Sequence, residues 1–192
     1  MRFKKYNDSG ELLYFLNKVK KECKPYLKLL SGRTPLYRSM NRIIVNMGQK
    51  NVRKNRIPMG TPSNVFPKIN KWLQENGHVR RDRCVIARSE KNYLFGRPYI
   101  IFPISRINYT WVSAVDWNED DVSGWNPYTL EDYFIHPNKE TERFLKTHIT
   151  TNKGFNIVYN KAYEIWFDCD KYYYMDYELW EINEDFIIKE LK

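Results

Sequence analysis

Three side chains in this sequence combine a type and a setting that chemistry can use: Arg38, Ser89 and Glu164. Arg38 lies in Leu36-Tyr37-Arg38-Ser39, a strand-like run whose alternation puts Leu36 and Arg38 on one side and Tyr37 and Ser39 on the other. A guanidinium pointing inward from a strand needs a partner, and its fork of five donors fits a carboxylate or a phosphate. Ser89 follows the apolar run Val85–Ala87 and Arg88, where a strand end can present a hydroxyl and a cation to a ligand. Glu164 opens Glu164-Ile165-Trp166-Phe167, an otherwise apolar strand. Each has a plainer role open to it: a structural salt bridge for Arg38, an ordinary strand–helix–strand for Ser89, and an edge charge that discourages strand pairing for Glu164. A shared function requires that all three converge.

The elements that must position them can be read from periodicity and turn signals. Cys84–Ile104 is the central stretch, with apolar runs Val85–Ala87 and Tyr99–Phe102. The residues from Arg88 to Gly96 are long enough for two turns of helix, Gly96 and Pro98 turn the chain, and Pro103 stops the second run. A first helix is expected from Asp8 or Ser9 to about Leu30, with Leu12, Leu13, Leu16, Val19 and Cys23 on one stripe and a bend at Pro25. Ser31–Pro35 reads as a loop and Ile43–Val45 as a strand. Thr61-Pro62-Ser63 opens a helix that turns Phe66, Ile69, Trp72 and Leu73 inward and closes at Gly77. Ile107–Val115 reads as a strand, Trp117–Tyr128 as a loop, Thr129–Phe134 and Asn138–His148 as short helices, and residues 150–161 as a polar connection. Two close strands, Ala162–Cys169 and Tyr172–Asp176, flank an Asp170-Lys171 turn. The tail from Tyr177 to Lys192 suits either a strand or a short helix packed on the body.

Length and composition set the frame. The 192 residues suit one domain with a real core, and 16% aromatic residues argue for a folded chain. No run of eighteen apolar residues exists and Met1-Arg2-Phe3-Lys4-Lys5 leads into no apolar segment, so neither a membrane span nor a leader is expected. Cys23, Cys84 and Cys169 are odd in number, far apart and set among apolar residues, which fits buried free thiols in a reducing cytoplasm. His78, His136 and His148 are isolated and no CxxC occurs, so no structural zinc is expected. Asp116, Glu119, Asp120 and Asp121 lack the spacing and glycine of a calcium loop and read as a solvated turn.

The net charge of +9 is uneven: residues 1–106 are basic, while 116–142 and 168–190 are acidic. Lys50, Arg53, Lys54 and Arg56 read as an exposed basic loop. With Arg80, Arg81 and Arg83 they form a candidate surface for nucleic acid or an acidic partner. Aromatic interleaving for base stacking is missing there.

In order and context, these motifs resemble ADP-ribosyltransferases of the Arg-Ser-Glu type, and among them the short ADP-ribosyltransferase-like proteins of tailed bacteriophages. Leu36-Tyr37-Arg38-Ser39 is similar to the aromatic-arginine strand, Ala87-Arg88-Ser89 to the strand running into a serine, and Phe95-Gly96 with Tyr99-Ile100-Ile101-Phe102-Pro103-Ile104 to the Tyr-Gly and Phe-Pro strand that follow it. Glu164 matches the late-strand glutamate, and the similarity spans roughly residues 34–176. The resemblance implies an α+β fold of curved mixed or antiparallel sheets flanked by helices, in a single domain 1–192 with an N-terminal helix (1–30) and a C-terminal extension (177–192). It also implies NAD as substrate: Arg38 on the phosphates, Ser89 on the ribose or the glutamate, Glu164 as catalytic carboxylate, and Tyr93 and Phe95 stacked on nicotinamide. The setting implied is the cytoplasm of an infected bacterium, with a host protein or nucleic acid as acceptor. Three departures are visible. Arg88 replaces a small hydroxyl residue, Ala162 stands where a first glutamate is usual, and Ser39 follows Arg38 where glycine is commoner. A catalytically inactive basic protein that blocks a host factor or nucleic-acid transaction is therefore the alternative.

Overall fold

The computed structural model describes residues 9–40, 45–56, 63–91, 96–104, 107–112, 134, 138–161 and 163–192. The predicted first helix is two: α1 (Ser9–Glu22) and α2 (Lys24–Leu30), divided at Cys23, with Pro25 in the first turn of α2, where its missing N–H costs nothing. The stripe Leu12, Leu16, Val19 and Cys23 is buried, together with Phe15, whereas Leu13 is exposed. Next come β1 (Tyr37–Met40), β2 (Met47–Asn51), α3 (Phe66–Glu75), a single 3-10 turn (Arg81–Arg83), β3 (Val85–Ala87), β4 (Arg97–Pro103) and β5 (Asn108–Val112). The chain ends with α4 (Lys139–His148), β6 (Ile149–Thr151), α5 (Phe155–Asn160), β7 (Ile165–Asp168), β8 (Lys171–Asp176) and α6 (Tyr177–Leu191).

The class is α+β, with six helices and two four-stranded sheets among the described residues. The first sheet runs β1-β4-β8-β2 and the second β3-β7-β5-β6, every pair antiparallel. The two close strands at the end of the chain are therefore not a hairpin: β7 lies in one sheet and β8 in the other, and the turn at Asp170 carries the chain across. The sheets touch edge to edge at one residue pair, where Tyr37 N–H donates to Arg88 O at 2.7 Å and Arg88 N–H to Tyr37 O at 2.9 Å.

Two further expectations need correction, and the tail takes one of its two expected forms. β2 occupies part of the presumed basic loop and pairs with β8 from Met47↔Met175 to Asn51↔Lys171. The polar connection at 150–161 contains β6 and α5. The tail is a helix, because Asp176 caps it by accepting from Glu178 N–H at 3.0 Å. Gly96 does turn the chain into β4, at φ +105°, and a Cβ there would stand 2.9 Å from Ser39 Oγ. Most of the expected strand 43–45, the helix between Arg88 and Gly96, the loop at 117–128 and most of 129–134 lie outside the described residues.

The second sheet separates two apolar clusters. Val85, Ala87, Ile165, Phe167, Tyr109 and Trp111 face the larger one, which α1, α2 and the first sheet complete. Ile86 and Trp166 face the smaller, with Ile69 and Leu73 of α3 and Leu145 of α4. All three cysteines are buried free thiols. Among the described residues, no helix is long and apolar enough to cross a membrane.

The seat of β1 depends on Tyr26, a fully buried residue of α2 whose hydroxyl oxygen accepts from Leu36 N–H at 2.9 Å. Leu36 O in turn accepts from Ile101 N–H of β4 at 3.0 Å. Tyr26→Phe leaves the Leu36 N–H buried without an acceptor, which costs about 1–3 kcal/mol. Urea unfolding should show a lower midpoint at unchanged slope; an unchanged midpoint would remove Tyr26 from the support of β1.

Candidate functional site

The register of β3 on β7 builds the site. Ile86 lies opposite Trp166 and Ala87 opposite Ile165. Arg88, one residue on, accordingly faces Glu164, with Arg88 Nη2 3.6 Å from Glu164 Oε2. Arg81, from the 3-10 turn, comes from the other side, with Nη2 3.7 Å from Glu164 Oε1 and its guanidinium 5.2 Å from the Trp166 ring centre. The Trp166 indole N–H donates to Glu164 Oε1 at 2.5 Å. Both ion-pair distances exceed hydrogen-bond length, so charge and the indole hold this carboxylate.

Arg38 enters from β1. Its Nη1 donates to Ile86 O at 2.9 Å, one residue along β3 from Ala87 and opposite Trp166. Arg56 completes the group: its backbone N–H donates to Asp82 O at 3.0 Å, which lays this end of the 52–56 segment on the 3-10 turn. Burial, and then the Arg38 charge, lower the pKa of Arg56, which also senses Arg81 and Glu164. Among the described residues, Arg81 and Arg88 approach Glu164 directly, and Arg38 and Arg56 lie in the same neighbourhood. Arg81 is 5% exposed and the Glu164 side chain 12%.

Other ionisable groups lie beside them. Burial pushes the Cys84 thiol up to about 12, so it is neutral near pH 7. Burial likewise raises the Tyr172 hydroxyl, against the lowering effect of Arg38. The Asp82 carboxylate is engaged elsewhere, by Arg80 Nε at 3.0 Å and Nη2 at 2.5 Å, and by Arg83 Nε at 3.8 Å. Among the described residues Arg38 Nε and Arg56 Nη1 are buried without a hydrogen-bond partner. Such orphaned donors are uncommon, and an incoming acceptor is one explanation for them.

Ser89 does not join the group. Strand alternation puts it with Val85 and Ala87, and its hydroxyl donates to Tyr159 O of α5 at 2.5 Å, on the face opposite Arg88 and Glu164. Tyr93 and Phe95 lie outside the described residues. The predicted basic surface divides. Arg53, Lys54 and Arg83 are exposed, Lys50, Arg56 and Arg80 are half-buried, with Arg56 Nη1 itself buried, and Arg81 is buried. Desolvation lowers the pKa of Lys50, as do Arg53 and Arg38. No cluster of three or more His, Cys, Asp or Glu suited to a metal exists among the described residues, and the acidic stretch Asp116–Asp121 lies outside them. The roles of Arg56 and Arg81 could not be read from the sequence, because a run of charges has the same appearance whether solvated or folded inward.

Glu164→Gln removes the carboxylate that Arg81 and Arg88 approach and keeps its shape. The variant should lose about 2 kcal/mol or more of stability, since buried guanidinium groups then lose an ion-pair partner. Added NaCl should narrow the gap by screening. Urea unfolding of both proteins at low and high salt measures this, and equal stability at low salt would contradict it.

No protein-family model, curated protein or solved structure matches the chain.

Proposed function

We propose that the chain is an ADP-ribosyltransferase-like protein that binds NAD beside Arg38 and Glu164, where the two sheets meet, and transfers ADP-ribose to a macromolecule of a bacterial host. The observation that carries this reading is that β3 and the residue after it meet both Arg38 and Glu164, distant in sequence: Ile86 O accepts from Arg38 Nη1 at 2.9 Å, and Arg88 Nη2 lies 3.6 Å from Glu164 Oε2. Cations for a diphosphate and a carboxylate for a ribose hydroxyl are what such a reaction requires. The two antiparallel sheets flanked by helices accord with the fold that the sequence resemblance implies.

In this reading Arg38, with Arg81 and Arg56 beside it, neutralises the diphosphate and fixes the dinucleotide. Glu164 accepts a hydrogen bond from the hydroxyl of the nicotinamide-side ribose. Its charge stabilises the oxocarbenium character that develops as the bond from C1′ to the nicotinamide nitrogen breaks. Nicotinamide leaves as a neutral base, taking the bonding pair; the acceptor's nucleophilic atom then bonds to C1′ and releases a proton. Trp166 and Arg88 orient the carboxylate from either side.

One observation favours a second reading. The Ser89 hydroxyl is committed to Tyr159 O, away from Glu164. A crevice with the cations but without the serine suits a protein that binds an anionic host factor or nucleic acid and catalyses nothing, with Arg53, Lys54 and Arg83 as its exposed steering charges.

Labelled NAD incubated with bacterial lysate separates the two. The transferase reading expects transfer of label by the wild type, with at least a hundredfold loss in Glu164→Gln and in Arg38→Ala, both still folded by circular dichroism. Absence of transfer in the wild type, together with partner capture that is lost on charge reversal at Arg53, Lys54 and Arg83, would establish the binder instead.

A further inference from the structure

We infer that a recess between α2, the loop that follows it and α6 is a binding site for a small apolar molecule bearing a carboxylate, with Arg33 as the residue that receives the charge. Arg38, Arg81, Arg88 and Glu164 are absent from its wall, so the inference stands apart from the dinucleotide reading.

The recess has a volume of about 330 Å³, at the small end of the roughly 300–1,000 Å³ typical of small-molecule sites. Its apolar wall includes Leu30 and Trp180, 2% and 1% exposed, and the partly buried Ile188. An apolar body that displaces water from such a wall is favoured, because apolar surface leaves contact with solvent. The charged residues on the wall are Lys28, Arg33 and Lys192, all cations. None of the acidic residues of α6 joins them, although Glu178, Glu181, Glu184, Asp185 and Glu190 all lie on that helix. A concavity charged in one sign draws the opposite sign, so the combination selects an anion with an apolar body.

Arg33 is in place before any ligand arrives. Ser31 and Gly32 take left-handed φ angles of +54° and +82°, which turns the chain at the end of α2 and lets Arg33 N–H donate back to Leu30 O at 3.1 Å. Arg33 Nη1 donates to the same oxygen at 3.2 Å, and the guanidinium stands 5.5 Å from the Tyr159 ring centre. Tyr159 is itself anchored, its hydroxyl donating to Thr34 O at 2.9 Å. These contacts engage one terminal nitrogen and one face of the guanidinium. They leave its Nε–Nη2 edge for a carboxylate, which that edge meets through two parallel hydrogen bonds. A side chain already ordered loses less entropy on binding. The volume admits a short acyl chain or a bicyclic ring beneath that carboxylate.

The test is calorimetric titration of the full chain with octanoate and 1-naphthoate, with 1-octanol and octylammonium as controls for charge. The wild type should bind at least one of the two carboxylates at a single site, about tenfold or more tighter than octanol, with octylammonium weaker still. Arg33→Gln should lose about tenfold or more of the carboxylate affinity and keep that for octanol, with its fold checked by circular dichroism. Ile188→Trp adds bulk to the wall and should weaken carboxylate and octanol alike. Glu164→Gln should bind the carboxylate as the wild type does. Amide NMR shifts of the wild type on titration should centre on Leu30, Arg33 and Ile188, a readout that needs no variant to fold. Failure of both carboxylates to bind the wild type would overturn the site. So would octanol or octylammonium matching octanoate, a folded Arg33→Gln with wild-type affinity, loss of binding in Glu164→Gln, or a shift map centred elsewhere.

Discussion

The constraint that organises this molecule is a largely buried charged group where the two sheets meet. Among the described residues, Arg81 and Arg88 approach the Glu164 carboxylate, with Arg38 and Arg56 in the same neighbourhood. At an effective dielectric constant near 20, two unit charges about 4 Å apart interact by roughly 4 kcal/mol, so attraction to Glu164 and repulsion among the arginines are of similar size. The arrangement is therefore no obvious source of stability by itself. It exists because the surrounding aromatic cores are large enough to carry it, with Trp166, Tyr26, Tyr99, Phe102 and Phe167 all fully buried around the junction.

The geometry of that junction has a simple origin. β7 and β8 are separated by a single tight turn, yet each joins a different sheet, so the chain ties the two sheets together at one end of these strands and the bridge of Tyr37 and Arg88 joins them at the other. Three of the charged residues sit on or beside that bridge. Arg38 is one residue from the bridge on β1, Arg88 is the bridge residue beyond β3, and Glu164 immediately precedes β7. The bridge fixes register as well as proximity, because slipping β3 by one residue would exchange its two faces and pull Val85 and Ala87 from the larger core.

Much of this fold was legible in the sequence, and the failures have identifiable causes. Val85–Ala87, Tyr99–Phe102, the helix around Ile69 and Leu73 and the breaking effect of Pro25 all follow from apolar periodicity and local sterics. β2 was missed because Met-Gly-Gln-Lys-Asn has no alternation of its own; its edge position is secured by pairing with the tyrosine-rich β8. α5 was missed because it has only six residues and starts at a left-handed glycine, Gly154. The tail, which suits strand or helix by its apolar pattern alone, becomes a helix at Asp176, whose side chain caps it. In the site, Arg38 and Glu164 stood out because each interrupts an apolar run. Arg56 and Arg81 did not, since their burial is a product of the 3-10 turn and its contact with the 52–56 segment, which leaves no mark on spacing.

The position of Ser89 bears most directly on what the crevice can do. Side chains alternate along β3, so Ser89 belongs with Ala87 and the larger core, and Arg88 belongs with Ile86 and Trp166. The group facing Glu164 from β3 is thus a guanidinium at 3.6 Å rather than a hydroxyl. A hydroxyl would orient the carboxylate by a directed bond and leave its charge unopposed, whereas a guanidinium orients it by charge and competes with any cationic centre that forms in a ligand. On the proposed transferase function, a bound anion would change this balance: by engaging Arg38 it would lower the positive potential around Glu164 and let the carboxylate act on the ligand rather than on its neighbours. Anion binding would then precede any reaction at Glu164, and a protein that only binds would use the same arginines.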